Sequence, residues 1–366
     1  VALFGNDRPW SATYTTWVDD LDGVGLLADA DIWLQRFDSV AACFVDRITI
    51  DRVYGVIDND ALLRVLRRDV DHRVGAIGSA NDVEARIVVD ATGWPSGLDP
   101  SDRGQAERRG LAWQTALGVV LPEPPAGSLG SPTVMDFSEV TTGPTDTGAR
   151  ADLGVPTFAY AFPVTDGWLV EETVLAGPLL DPDALAPRLA HRLGEPVDAL
   201  LDRARRIERV RIPMGAPVPA RRDSTSPAVV RFGAAAGMIH TATGYSVAAS
   251  LRAVDRVGAA VVQQLADGPD GRALADAVWP RALRRSRRLH DYGLGVLLDM
   301  DVDDVRRFFQ AFFELPPERW AAYLRVDTPP AELARVMTAM FTRADWGLRR
   351  RLVAGDLRLL PRVLWP

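Results

Sequence analysis

Glu171 and Glu172 stand side by side in the apolar run Leu169–Thr173, LVEET. Side chains alternate along a strand, so these two carboxylates must point to opposite faces, and only one can face an interior. Burial disfavours the charged form of a carboxyl and raises its pKa. Such a group keeps its proton near neutral pH and can serve as a general acid. The plainer reading is an edge strand carrying two solvated glutamates, because glutamate is mostly an exposed residue.

A second stretch, Val229–Val254, runs from a strand across Gly233, Ala234 and Gly237 into a helix, with His240, Gly244 and Tyr245 close behind. Small residues let backbone approach a ligand, and the free N–H groups of a helix start can face a pyrophosphate. The alternative is tight packing at a strand-to-helix junction. His240 either faces a ligand there or hydrogen-bonds a loop carbonyl. Asp90 and Gly93, in VVDATG, end another strand. They suit either the approach of a nucleotide or an ordinary turn.

These stretches must be positioned by elements that the hydropathy pattern outlines. Val1–Phe4, Arg86–Asp90, Leu117–Leu121, Trp168–Leu175 and Val229–Phe232 read as strands. Asp58–Arg68 reads as a helix capped by Asp58 or Asn59. Asp183–Leu193, Val197–Arg206 and Tyr245–Leu265 also read as helices. Four more follow: Ala273–Arg288, Val302–Phe313, Pro317–Tyr323 and Pro330–Phe341. Residues 122–132 and 141–156, rich in Pro, Gly, Ser and Thr, read as loops. Strands interleaved with helices first, and helices alone last, predict an α/β fold with a mixed sheet and a helical C-terminal part.

The 366 residues suit one large domain or two intimate ones. A net charge of −7 gives no reason to expect a nucleic-acid partner. With Cys43 as the single cysteine, no intrachain disulfide can form, and a cytoplasmic setting is expected. Polycysteine metal sites are excluded for the same reason, and the four histidines are scattered. No apolar run is long enough to span a bilayer.

Five stretches in order resemble the lycopene cyclase family of flavoproteins. They are Arg8–Asp20 (RPWSATYTTWVDD); VVDATG followed by Leu111–Leu121 (LAWQTALGVVL); Val134–Phe137 (VMDF), Pro156–Pro163 (PTFAYAFP) and LVEET; Glu208–Pro219 (ERVRIPMGAPVP); and GAAAGMIHTATGYSVAASL from Gly233. The resemblance covers residues 1 to about 340. It implies a FAD-binding, Rossmann-like, monooxygenase-type fold with an inserted β-rich substrate domain. It also implies acid-catalysed closure of the ends of lycopene, or a related linear carotenoid, to ionone rings. FAD would act in its reduced form with NAD(P)H as electron source and no net redox change. The family's acid falls on Glu171, and Glu172 and Asp136 are expected to support it. Asp90, Gly93, Gly233, Ala234, Gly237, His240, Gly244 and Tyr245 are expected at the cofactor. The implied division is residues 1–100 and 226–270 for FAD, 101–225 for substrate, and 271–366 as the helical part.

An apolar substrate also raises peripheral contact with the inner face of the cell membrane. Arg281–Arg288 and the Trp346–Arg351 run (WGLRRR), with Trp365, would suit an anionic surface; a solvated basic helix face is the alternative. Trp10, Tyr14 and Trp17 could line a polyene tunnel or the core. Phe308, Phe309, Phe312 and Phe313 form one apolar helix face, the usual mark of a core. Thr15 and Thr16 replace Gly-Val of the family pattern, Thr241 replaces Pro, and the stretch between Arg68 and Arg86 is short. The family's opening Gly-x-Gly-x-x-Gly unit of about 30 residues does not occur in this sequence, which predicts weak FAD affinity and poor folding. An apolar-substrate FAD monooxygenase and an inactive remnant are therefore the competing readings.

Overall fold

The computed structural model describes residues 1–99, 101–102, 110–138, 153–220 and 227–354. Its largest sheet orders seven strands as β13 (Arg206–Pro213), β9 (Trp113–Leu121), β12 (Gly167–Val174), β11 (Thr157–Val164), β10 (Thr133–Asp136), β4 (Val40–Cys43) and β5 (Arg47–Ile50). All neighbours are antiparallel except β10 and β4. Three antiparallel strands, β2 (Thr15–Trp17), β6 (Tyr54–Ile57) and β3 (Trp33–Phe37), form a smaller sheet. Two parallel pairs complete the β structure: β1 (Ala2–Gly5) with β7 (Asp71–Val74), and β8 (Ile87–Asp90) with β14 (Ala228–Arg231).

The β11–β12 hairpin sets the site. Val164 pairs with Gly167, leaving the two-residue loop Thr165–Asp166. Gly167 has φ +149°, and a Cβ there would lie 2.1 Å from the Leu121 carbonyl oxygen, so only glycine fits. This turn fixes the register, and a one-residue slip would exchange the faces of every side chain.

Helices cover both faces of the large sheet. Helix α1 (Asn59–Leu66) begins at Asp58, whose carboxylate accepts from the Asp60 and Ala61 amides. On one face, α2 (Ala186–Leu193) and α3 (Val197–Arg203) bury Leu189, Ala190 and Leu200 against Val119, Leu121, Ala159 and Val170. On the other, Phe158, Phe162 and Phe137 join a core shared with the C-terminal helices. Those helices follow α4 (Val247–Asp267) and α5 (Gly271–Val278). They are α6 (Arg281–Leu298), α7 (Val302–Phe313), α8 (Pro317–Leu324), α9 (Pro330–Arg343) and α10 (Trp346–Ala354).

The α/β class with a helical C-terminal part is the one observed. The helix expected over Ala273–Arg288 is instead two, broken at Trp279-Pro280. Proline forces its predecessor out of the helical region, and Trp279 sits at φ −121°, ψ +80°. The helix expected to Arg206 stops at Arg203, and Arg206 opens β13. Strands β3 to β6 lie in a stretch that periodicity left unassigned. Phe309 and Phe312 are buried core, as their spacing suggested. Most of the expected loop 141–156, and Trp365, lie outside the described residues.

A cation at the centre ties the N-terminal segment to the helical part. The Arg52 guanidinium lies 4.8 Å from the Trp17 ring centroid and 5.3 Å from that of Trp320. It donates to Asp20 Oδ1 at 2.6 Å, and Arg325 donates to the same oxygen at 2.5 Å. Asp20 is buried. Removing it leaves the two guanidinium groups only the more exposed Asp19, which both also reach, at 2.8 and 3.3 Å. Asp20→Ala is expected to cost about 3–5 kcal/mol in urea unfolding, with loss of α8 docking measurable as increased amide exchange over residues 317–325.

Candidate active site

The register brings four residues into one row on one face of the large sheet. Tyr160 pairs with Glu171, Glu171 with Gly118, and Gly118 with Glu208. Gly118 clears space between the two carboxylates: a Cβ there would lie 3.4 Å from Glu171 Oε2 and 3.5 Å from Glu208 Cβ. Glu171 is half-buried. Burial pushes its carboxyl up to about 7; the Thr173 hydroxyl, donating to Oε1 at 2.8 Å, opposes that shift, and the charge of Glu208 adds to it.

Strand β2 and the residues before it lie across this row. Thr13 donates to Glu208 through its amide at 2.9 Å and its hydroxyl at 2.7 Å. Two residues on, Thr15 accepts from the Tyr160 hydroxyl at 2.6 Å. The segment is thus tethered at both ends of the row, with Glu171 between. Tyr54 reaches Thr15 at 2.8 Å and Tyr245 at 3.1 Å, which extends a chain of hydroxyls along the face. Burial holds the phenols of Tyr54, Tyr160 and Tyr245 well above their ordinary pKa, so all three stay neutral. Trp17 stacks edge-on against Tyr54, while Trp10 is exposed.

Glu172 and Asp136 are on the other face. Asp136 pairs with Ala159, and Ala159 with Glu172. Fully buried Glu172 accepts from Arg188 at 2.9 Å and Arg192 at 2.7 Å. Burial opposes ionisation there, but the two guanidinium groups and hydrogen bonds prevail and lower its pKa. Asp136 accepts from the Ser128 hydroxyl and the Ser138 amide. The structure does not bring either group to Glu171; both join the sheet to its surroundings on the α2 side.

The residues expected at a cofactor divide in the same way. Asp90 is buried and accepts from the Thr92 amide and hydroxyl and the Ser96 hydroxyl, so it builds its own turn. A Cβ at Gly237 would meet the Ala216 and Pro217 carbonyl oxygens at 2.9 Å, and one at Gly244 would meet Gln114 Oε1 at 2.6 Å. Both glycines, at φ +67° and +75°, are packed against protein. Arg287 seals the first contact by donating to the Gly237 and Ala216 carbonyls at 2.7 Å each. This buries one member of the arginine run expected to form a basic face. Tyr245 directs its hydroxyl into the Glu171 face.

Gly93, Gly233 and Ala234 remain accessible. Gly93 has open space where a Cβ would be, and Gly233 and Ala234 are half-exposed. They follow the carboxyl ends of the parallel strands β8 and β14. Helix α4 starts beyond them at Val247 with no side-chain cap on its first amides. Open backbone at the ends of parallel strands beside an uncapped helix fits part of a dinucleotide.

Sequence reasoning missed Glu208, Tyr160, Tyr54 and Gln114. The signal for two of them was present: a two-residue turn ending at Gly167 puts Tyr160 opposite Glu171, and alternation through Arg206–Pro213 marks Glu208 as facing one side.

A separate apolar cavity of about 290 Å³ lies in the helical part, lined by Tyr292, Phe308, Phe312, Met337, Phe341 and Leu352 among others. Trp346, Phe341 and Val353 are exposed on α9 and α10. Among the described residues no helix is long and apolar enough to cross a membrane, and no cluster of potential metal ligands is found.

His240 is buried and faces no open space. Its Nδ1 accepts from the Ala242 amide at 3.3 Å, so its Nε2–H donates to the Tyr323 carbonyl at 2.9 Å. His290 Nε2 lies 3.1 Å from the same oxygen. Burial lowers the His240 pKa to about 4 and holds that of His290 well below its usual value. Both histidines are neutral when folded and gain protons when unfolded below about pH 6.5. Unfolding therefore takes up protons in that range, and stability falls as pH drops from about 6.5 towards 4. Thermal melts across that range should show the slope, and His240→Gln should flatten it.

The lycopene cyclase protein family model matches residues 1–349. An uncharacterized carotenoid cyclase from Deinococcus radiodurans is 32% identical over 96% of this chain and 85% of its own length. A lycopene beta cyclase from Arabidopsis thaliana is 29% identical over 92% of this chain and 71% of its own. Among solved structures, a geranylgeranyl bacteriochlorophyll reductase-like protein from Thermoplasma acidophilum superposes with a TM-score of 0.58. It shares 12% identity over 95% of this chain and 92% of its own, a likeness of fold alone. With the match running through every strand of the large sheet and into α10, the chain belongs to the lycopene cyclase family.

Proposed function

We propose that the protein closes the ends of lycopene, or a related linear carotenoid, to ionone rings, with Glu171 as the acid. The observation that carries this reading is a partly accessible carboxyl raised to about 7 on a face lined by neutral phenols and aromatic rings. Glu171 would donate its proton to a terminal double bond. The resulting carbocation would be captured by the next double bond, forming the ring carbon–carbon bond. Loss of a ring proton then restores neutrality, so the product is an isomer of the substrate. The rings of Tyr160, Tyr54 and Phe162 supply electron-rich faces to that side of the sheet. The segment tethered by Thr13 and Thr15 limits water access to the cation.

The backbone at Gly93, Gly233 and Ala234 and the start of α4 would hold FAD. Reduced flavin held by these residues would supply negative charge that stabilises the cation, with NAD(P)H as the source of its electrons. Exposed Trp346 and Phe341, next to Arg343 and Arg350 and beside the apolar cavity, suit peripheral contact with an anionic membrane from which an apolar polyene enters.

Expression in a bacterium that accumulates lycopene, followed by chromatography of the pigments, tests the activity. The protein should yield a cyclic carotene, and Glu171→Gln should leave lycopene at least about a hundredfold less converted. Wild-type conversion by Glu171→Gln would remove Glu171 from the chemistry. The protonated form is the active one, so the rate should fall as pH rises through about 7. For the membrane contact, the protein should float with anionic liposomes and Trp346→Glu should remain with the soluble fraction; indifference of the wild type to such liposomes would count against it.

A further inference from the structure

Glu208 is the one carboxylate that shares a transverse row with Glu171, and the family resemblance assigns it no role. It is buried, and its place is over-determined. Both oxygens accept from Thr13, and Oε1 also accepts from Arg206. Arg206 is itself held by Asp166 at 3.0 Å, in the hairpin turn that sets the register of Glu171. Between the two carboxylates stands Gly118, the only position of the row without a side chain. Any other residue would put a group 2.8 Å from Leu169 Cδ1 and screen one carboxylate from the other.

We propose that Glu208 is a positioning residue for the acid: fixed by Thr13 and Arg206, its carboxylate lies in the same row as Glu171, beyond Gly118, and favours the protonated form of that group. This rests on the reading of Glu171 as acid. The other groups facing Glu171 are accounted for. Tyr160 on β11, Tyr54 on β6 and Tyr245 before α4 are neutral phenols, and burial with the charge of Glu208 raises Tyr14 in the same sense. On β12 itself Thr173 donates to Glu171. The charged groups on the neighbouring strand are Glu208 and Arg206 on β13, with Asp166 beyond them, and Arg206 is divided between two carboxylates; further along the face Asp20 and Arg52, paired with each other, act on Tyr245. Glu208 also anchors Thr13 and so holds the segment over Glu171. One residue thus couples closure of the face to protonation of the acid.

The experiment is an infrared titration of the Glu171 carboxyl in the full chain, its band isolated by difference against Glu171→Gln. The midpoint near 7 should fall by about half a pH unit in Glu208→Gln, because a negative charge is removed from a poorly screened site. Glu208→Asp, which keeps the charge, should stay near the wild-type value. Arg206→Gln leaves Glu208 uncompensated and should move the midpoint upward, whereas mere loosening that admits water would move it downward. An unchanged midpoint in Glu208→Gln, an equal drop in Glu208→Asp, or a downward shift in Arg206→Gln would each overturn the proposal. These readings do not require turnover. If Glu171→Gln cyclises lycopene normally while the midpoint still shifts, the acid assignment fails and the electrostatic coupling stands.

Discussion

The alternation of side chains along β12 puts two neighbouring carboxylates into different media. Glu172 meets two arginines and is held ionised; Glu171, one peptide unit away, meets phenols, a threonine hydroxyl and another carboxylate. Nothing in their covalent chemistry distinguishes them. The distinction comes from the two-residue turn at Thr165–Asp166, because it sets which face each residue takes. Gly167 is required there by a backbone approach that no side chain permits. The acid–ion-pair division of LVEET is therefore decided by a turn and a glycine several residues from either glutamate.

The two faces also receive different partners in the chain. The ion-paired face is closed by α2 and α3, local elements that follow β12 in sequence. The acid face is closed by residues distant in sequence: the segment before β2, the Tyr54 strand, and a helical part some 130 residues downstream. Long-range closure needs its own fastening. The Trp17–Arg52–Trp320 stack with Asp20 and Arg325 provides it on one side, and the paired histidines on the Tyr323 carbonyl provide it on the other. Trp320, Tyr323 and Arg325 all belong to α8 or its end. That short helix links the N-terminal segment to the strand–helix junction after β14.

The legible parts of this arrangement were those written in local sequence. Helix α7 was read to the residue, the cap of α1 was narrowed to Asp58 or Asn59, and opposite faces for Glu171 and Glu172 followed from period two alone. What local pattern could not give was which face closes over what. Glu172 and Asp136 were expected to support Glu171, and strand pairing sends both to the other side. Gly237 and Gly244 looked like a ligand cradle because small residues at a strand–helix junction serve equally for ligand approach and for packing; Pro217 and Gln114, remote in sequence, occupy those spaces. Strands β3 to β6 escaped notice because each is only four or five residues long, too short to display a period. Glu208 escaped because its importance lies in a register with Gly118, ninety residues earlier.

An acid held at about 7 is also a cost to the fold. Between about pH 4.5 and 7 Glu171 is protonated in the folded chain and ionised in the unfolded one, so the folded state loses stability as pH rises through that window, by about 3 kcal/mol in all. The same face buries three phenols whose hydroxyls, among the described residues, bond to one another and to Thr15. Arginine could have neutralised Glu171, as it does Glu172 on the reverse of the same strand. On the acid face the guanidinium of Arg206 is instead engaged by Asp166 and Glu208, and that of Arg52 by Asp19 and Asp20. The destabilised carboxyl is thus preserved by engaging these cations with other carboxylates, which is the pattern expected where a proton, rather than a charge, has to be kept ready.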